Sequence, residues 1–293
     1  MIAQQLLNAL GLGSMYALFA LGFTLIFGIL GIINLAHGAV FMLGSYTALI
    51  LVSQAGWPLW LATLGAMVVG AGLGAVTEWL LLRPLRARNA PHLAPMIATI
   101  GLAGILGSVA QGSFGVETRR FPADAIASGG LSFGQFELSW IQLEVIVLAG
   151  LLMAILFVVL KRSATGRQLR AVAESPRNAR LAGIPVNRLF LLVSALAGAL
   201  GSAAGTLIGV SFNAVSPYMG QPMLHKGIAV IILGGMGDVR GALIGGLFIG
   251  LVEVLTVTFW SSEARDGVAY ALLLLVLLLR PNGLFGHVVE RRA

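Results

Sequence analysis

Residues 31–44 read GIINLAHGAVFMLG, and this stretch places the polar side chains of Asn34 and His37 in one of the most apolar parts of the chain. Apolar runs lie on both sides of these residues, at 9–30 and 39–52. A helix that crosses a bilayer needs about 20 apolar residues, a length that the first run reaches and the second does not. Irregular backbone at membrane depth is tolerated only where protein or a cavity covers it. The stretch therefore predicts a covered break between two membrane helices.

The composition of the whole chain indicates a membrane protein. Of its 293 residues, 58% are hydrophobic and 10% are charged, whereas a soluble domain carries about 25% charged residues. The 39 glycines are typical of closely packed membrane helices, and the absence of cysteine excludes disulfides and thiolate metal sites. We therefore expect an all-α polytopic membrane protein that forms a single transmembrane domain over residues 1–293.

About eight segments are predicted to be membrane helices. They are 9–30, 39–52, 58–82, 93–114, 140–160, 189–212, 241–260 and 267–279. Residues 222–235 are apolar but too short for a full crossing, so we expect a half-helix or a broken helix there. The polar residues 115–139 predict an external loop. Small residues recur every four positions from Ala197 to Gly209, a spacing that predicts close packing against other helices.

The basic residues predict the orientation of the chain. Thirteen of the 18 lysines and arginines fall in three short segments, 83–88, 161–188 and 280–292. Positive charge in short loops marks the cytoplasmic side, so the N-terminus is predicted outside and the C-terminus in the cytoplasm. The net charge of +7 is explained by these loops, and no nucleic-acid partner is expected.

Segment 161–188 reads KRSATGRQLRAVAESPRNARLAGIPVNR and predicts two short helices. Thr165 and Gln168 have the spacing of a capping box at the start of the first. Ser175, before a proline, is expected to cap the second, which should end at Gly183. On composition alone, the segment can be interpreted either as an amphipathic surface loop or as a docking element for a cytoplasmic partner.

Five stretches of the sequence are similar to one family of transporters. They are GSMYALFALGFTLIFGILGIINLAHGAVFMLG at 13–44, GRQLRAVAESPRNARLAGI at 166–184, VSPYMG at 215–220, ILGGMGDVRGALIGGLFIGLVE at 232–253 and RPNGLFG at 280–286. Together they resemble the LivH-like permease subunits of ABC importers for branched-chain amino acids. The resemblance implies an ABC importer permease fold and ATP-driven import of Leu, Ile and Val by alternating access.

The resemblance also implies a docking site and a set of partners. The segment from Glu174 to Gly183 corresponds to the loop that docks into the ATPase, although the family's Glu-Ala-Ala is Glu-Ser-Pro here. The residues expected to dock are Arg170, Glu174, Ser175, Ala179 and Gly183. The implied partners are a LivM-like second permease, two ATPase subunits and an extracytoplasmic substrate-binding protein, in a bacterial inner membrane.

ATP and Mg²⁺ are expected in the partner subunits, with no cofactor or metal in this chain. A P-loop needs a lysine followed by Ser or Thr, and neither Lys161 nor Lys226, the two lysines of the chain, is followed by one. The motif H-E-x-x-H is also absent. We therefore expect no catalytic residues and no enzyme activity.

Three polar residues, Asn34, His37 and Asn213, are predicted to line the substrate pathway. A zwitterionic amino acid with an apolar side chain needs modest hydrogen-bonding groups and apolar walls, and helix ends exposed at a break add backbone groups. The alternative is that these side chains only cap the breaks, because buried polar groups usually bond to nearby backbone.

Two acidic residues lie within predicted helices. Glu78, about one turn before Arg83, is expected at the membrane interface, and Glu253 is deep enough to pair with another helix. A proton-coupled carrier needs ionisable residues near the midplane, where only Glu253 and His37 would serve. Such a carrier, and a permease of the same family for urea, amides or other amino acids, stay open as alternatives.

Overall fold

The computed structural model describes residues 2–91, 93–122, 129–133, 136–280 and 283–286. Its helices are α1 (Ile2–Leu30), α2 (His37–Ala55), α3 (Leu59–Thr77), α4 (Arg83–Ala87), α5 (Leu93–Phe114), α6 (Trp140–Arg162), α7 (Ala164–Glu174), α8 (Pro176–Leu181), α9 (Val186–Ser211), α10 (Gly220–Gly234), α11 (Val239–Phe259) and α12 (Ala264–Leu279). Strands β1 (Gly130–Phe133) and β2 (Phe136–Ser139) pair antiparallel inside the predicted external loop. The last two arginines, Arg291 and Arg292, lie outside the described residues.

Within the described residues, seven helices are long and apolar enough to cross a membrane. They are Ile2–Leu30, His37–Ala55, Leu59–Ala87, Leu93–Phe114, Trp140–Arg162, Val186–Ser211 and Val239–Phe259. The eighth predicted segment lies in α12, whose 16 residues span about 24 Å. The short segment predicted at 222–235 lies in α10, a helix of 15 residues. The prediction of an all-α polytopic membrane protein is confirmed.

Helices α1 and α9 form the centre of the bundle. In their most apolar windows, 83% of the residues of α1 and 72% of those of α9 are buried, against 17% for α5 and for α6. Helices α2, α3 and α11 pack directly on this centre. Helices α5 and α6 therefore present most of their surface outward, as a bilayer or a second membrane subunit requires.

The four-residue spacing of small residues in α9 forms a close contact with α2. At three positions a glycine of α9 leaves no room for a Cβ because an α2 residue occupies that space. The pairs are Gly201 with His37, Gly205 with Phe41 and Gly209 with Ser45. Such spacing lets two helix backbones approach, and the predicted close packing is confirmed.

Helix Leu59–Ala87 contains a π-helical turn, Glu78–Leu82, between α3 and α4. Pro84 follows this turn and cannot donate a helical hydrogen bond, and a π-turn is one way in which a helix absorbs such a defect. Glu78 is 1% exposed and pairs with the guanidinium of Arg86. Glu78 thus has a charge partner in the protein, and the expectation that it lies at the membrane interface stays a prediction.

Candidate transport pathway

The predicted break after α1 extends into the interior of the bundle. Residues 31–36 are not helical, and α2 begins at His37. The Nε2 atom of His37 lies 3.3 Å from the carbonyl oxygen of Phe19. Phe19 precedes Leu30, the last residue of α1, by 11 residues, which is about 16 Å along the helix axis. The chain therefore returns alongside α1 before α2 begins.

Asn34 and His37 both have partners within this break. The Asn34 Oδ1 atom accepts a hydrogen bond from the backbone N–H of Ala36 at 3.1 Å, and His37 packs with its ring centroid 4.6 Å from that of Phe19. His37 is 1% exposed and Asn34 5%. Asn34 thus bonds to the non-helical backbone and His37 contacts helix α1, and both side chains are buried.

Asn213 lies in a different part of the molecule. It follows α9 with a φ of +43°, a left-handed conformation that asparagine tolerates better than most residues. Its Oδ1 atom accepts a hydrogen bond from the backbone N–H of Phe121 at 2.9 Å. Among the described residues no hydrogen bond or ring contact joins Asn213 to Asn34 or His37, so the structure brings together two of the three predicted pathway residues.

The start of α2 meets the start of α10 at two glycines. A Cβ on Gly38 would collide with the carbonyl oxygen of Gly220, and a Cβ on Gly220 would collide with that of Gly38. The backbone N–H of Leu35 donates to the Thr99 Oγ1 atom of α5 at 3.1 Å. Three elements therefore converge at this point, and two of them are helix ends.

A cavity of about 640 Å³ opens beside this contact, between α2, α5 and α10. Its walls carry apolar side chains such as Met42, Ile100 and Leu224. Polar side chains also line it, and these include Ser108, Gln111, Gln221 and His225. This combination suits a small molecule that has both an apolar part and hydrogen-bonding groups.

The sequence did not lead us to predict that residues of α5 line the cavity. Ala103, Gly104, Gly107, Ser108 and Gln111 face the cavity, and their spacing of three or four residues places them on one helix face. A small or polar residue at each of these positions, inside a segment long enough to span the membrane, was the available signal.

The loop 161–188 forms the two predicted helices. Ser175 caps α8, because its Oγ atom accepts a hydrogen bond from the backbone N–H of Asn178 at 3.2 Å, and Gly183 follows with a φ of +78°. The capping box predicted at Thr165 is wrong. Ser163 is the N-cap of α7 instead, and its Oγ atom accepts from the N–H of Gly166 at 2.9 Å.

The expected docking residues divide into supporting and exposed positions. Ala179 is buried at 4% exposure, and the Arg170 guanidinium donates to the carbonyl oxygen of Leu160 at the end of α6. Glu174 is exposed. Leu181 is 82% exposed at the end of α8. The loop therefore presents one large apolar side chain on a compact, internally supported helix pair.

A buried cluster of charges joins α1, α10, α11 and α12. Glu253, which is fully buried, accepts from Arg265 Nε at 2.6 Å and lies 2.8 Å from Lys226 Nζ. The hydroxyl of Tyr16 donates to Glu253 at 2.8 Å, and Lys226 also contacts Asp266 at 2.9 Å. The pairing that the sequence allowed for Glu253 is thus present, with two acidic and two basic groups.

Comparison with known proteins identifies the family. Residues 5–277 match the family described as branched-chain amino acid transport system, permease component. The chain belongs to this permease family. The match confirms the resemblance found in the sequence, and it makes this membrane protein a transport component.

Individual relatives cover nearly the whole chain. The high-affinity branched-chain amino acid transport system permease protein LivH of Escherichia coli (strain K12) is 34% identical over 97% of this chain and 95% of its own length. The corresponding permease protein BraD of Pseudomonas aeruginosa has the same identity and coverage. The fructose import permease protein FrcC of Rhizobium meliloti is 30% identical over 76% of this chain and 62% of its own length.

Proposed function

We propose that this chain is the permease subunit of an ATP-driven ABC importer for the branched-chain amino acids Leu, Ile and Val. The cavity beside Gly38 and Gly220 carries this proposal. Its apolar walls fit a branched side chain, and its few polar groups suit the charged ends of an amino acid. The names of the 34% identical relatives support the same substrate class.

The substrate pathway runs through this cavity. The backbone groups at the starts of α2 and α10, with Gln111 and Gln221, bind the amino and carboxyl groups, as broken helices do in other transporters. Asn34 and His37 belong to the pathway as the residues that hold its wall in place. Asn213 belongs to the pathway because it holds the loop after α9, which lies on the extracytoplasmic side of the membrane.

ATP hydrolysis in separate subunits drives the alternation between outward and inward access. The single permease domain over residues 1–293 receives this movement through the coupling loop at 161–188. Its docking residues are Arg170, Glu174, Ser175, Ala179 and Gly183. ATP and Mg²⁺ bind in the partner subunits, and this chain holds no cofactor and catalyses no reaction.

The complete importer contains a LivM-like second permease, two ATPase subunits and an extracytoplasmic binding protein, in a bacterial inner membrane. The outward surface of α5, beside the cavity, is available for the second permease. The N-terminus lies outside and the C-terminus in the cytoplasm. This orientation is supported by Arg83 and Arg188, which come from two basic segments and line one cavity, so both segments lie at the same end of the bundle.

Two other functions are less well supported. The fructose permease relative indicates that this type of membrane domain serves several substrates, so urea, amides or other amino acids are alternatives. A proton-coupled carrier would use Glu253 to bind the proton. The carboxylate of Glu253 is already bound by Lys226, Arg265 and Tyr16.

Uptake by the assembled importer tests the function. The chain is reconstituted into vesicles with its second permease, ATPases and binding protein, and entry of radiolabelled leucine is measured with and without internal ATP. We expect ATP-dependent uptake that unlabelled isoleucine and valine inhibit and that urea and fructose do not. Uptake driven by a pH gradient without ATP, or inhibited equally by urea, would contradict the proposal.

A further inference from the structure

A basic cavity lies outside the transport pathway, between the end of helix Leu59–Ala87 and the start of α9. It has a volume of about 500 Å³. Arg83, Arg180 and Arg188 line it, and all three are exposed. In the ranges that the structure describes, none of the three guanidinium groups forms a salt bridge or a hydrogen bond.

The cavity keeps a positive charge despite one acidic residue in its lining. Glu78 also lines it, but its carboxylate is buried and paired with Arg86. Arg86 in turn lies with its guanidinium carbon 4.2 Å from the ring centroid of Phe190. Arg83 also interacts with the charge of Glu78, but with Arg86 present the four arginines outnumber this one carboxylate, and the cavity keeps a net positive charge that can attract an anion.

The side of the same cavity that faces away from the bundle is apolar. Trp79, which is 59% exposed, and Leu191, which is 39% exposed, both line it. Tryptophan is enriched where membrane proteins meet the headgroup region, and the two residues lie on helices that span the membrane. The cavity therefore joins a basic surface to an apolar surface at the end of the bundle.

We propose that this cavity binds the headgroup of an anionic phospholipid. The phosphate contacts Arg83, Arg180 and Arg188, since a guanidinium offers a planar pair of donors that match phosphate oxygens. The acyl chains lie along Trp79 and Leu191. A free phosphate would leave this apolar side unused, and basic pockets between membrane helices at the cytoplasmic side are suited to acidic headgroups.

The lipid would connect two parts of the transport machinery. Arg180 lies in α8 of the coupling loop, whereas Arg83 lies in α4, which is continuous with the membrane helix Leu59–Ala87. One headgroup that contacts both arginines ties the coupling loop to this helix. The bound lipid would therefore support the position of α8 when the ATPase pushes on it.

Lipid binding to the detergent-purified importer complex tests the proposal. Native mass spectrometry measures the affinity for phosphatidylglycerol and for phosphatidylethanolamine. The pocket variant carries Arg83→Gln, Arg180→Gln and Arg188→Gln. The control variant loses the same charge at exposed sites outside the cavity, through Arg88→Gln, Arg162→Gln and Arg167→Gln. We expect at least about a tenfold preference for phosphatidylglycerol, lost in the pocket variant and kept in the control.

Several outcomes would overturn the proposal. An equal loss in the control variant would mean that general surface charge attracts the lipid. Competition by inorganic phosphate at the affinity of phosphatidylglycerol would mean a simple anion site. Loss of ATPase co-purification with unchanged lipid binding would assign the arginines to the ATPase. Single substitutions and Trp79→Ala, which keeps the charge, are measured in parallel, so that a misfolded triple variant does not prevent the comparison.

Discussion

Lys226 and Glu253 lie with Nζ and Oε1 2.8 Å apart, and their side chains are 10% and 0% exposed. Lys226 is on α10 and Glu253 on α11, and Arg265 brings in α12 through its own contact with Glu253. Helix α10 also forms one wall of the proposed pathway through Gln221 and His225. The charge cluster therefore fixes the position of a short helix that is next to the substrate cavity.

Replacing Glu253 by glutamine is expected to destabilise the protein. The substitution leaves Lys226 and Arg265 inside the bundle without their acidic partner, and breaking a buried pair in this way costs about 3–5 kcal/mol. Asp266→Asn is the control, because the Asp266 side chain is 58% exposed and an exposed pair contributes about 0–1 kcal/mol. Thermal unfolding in detergent measures both variants, and equal losses of stability would contradict a structural role for the buried cluster.

The sequence predicted local features well and distant partners poorly. The break at 31–36, the Ser175 cap and the turn at Gly183 follow from residues that are close together in the chain. Tyr16 and Glu253 are 237 positions apart, and a list of polar residues does not specify which helices pack together. The capping box was misplaced because Ser163, two residues before Thr165, satisfies the same helix start.

The Glu78–Arg86 pair illustrates the same limit at shorter range. The two residues are eight positions apart, whereas side-chain pairs on a regular helix are expected three or four apart. The π-helical turn between them changes the register of the helix, and this turn could not be predicted from the apolar pattern. The cavity face of α5 could have been predicted from small and polar residues at helical spacing, but the helices that complete the cavity, α2 and α10, could not.

Gly38→Ala is expected to reduce transport strongly. A methyl group at this position collides with the backbone of Gly220, and a backbone obstacle cannot move aside as a side chain can. Overpacking of this kind costs about 1–3 kcal/mol, and here it separates the starts of α2 and α10. Gly107→Ala is the matched control, because Gly107 lines the same cavity with no atom within 4 Å of an added Cβ. Leucine uptake should fall only in the first variant.

Asn34→Ala and Gln111→Ala should affect uptake in different ways. Asn34 bonds to the backbone of Ala36, so its loss should cost about 1 kcal/mol of stability and lower the maximal rate with little change in KM. Gln111 lines the cavity, so its loss should raise KM. The dependence of uptake on leucine concentration separates the two effects. A raised KM for Asn34→Ala at unchanged stability would identify it as a direct substrate contact.

Leu181→Ser is expected to weaken binding of the ATPase without unfolding the permease. Leu181 is 82% exposed on the short helix α8, so its apolar side chain contributes little to the stability of the isolated chain. Burying a leucine side chain in a partner contributes about 1.5–3 kcal/mol to the free energy of binding. The serine variant would lose most of this contribution, so its affinity for the ATPase should be lower by roughly tenfold or more. Ala164→Ser, at the exposed start of α7, is the control. Co-purification with the ATPase measures both variants, and undiminished binding by Leu181→Ser would show that α8 docks through other residues.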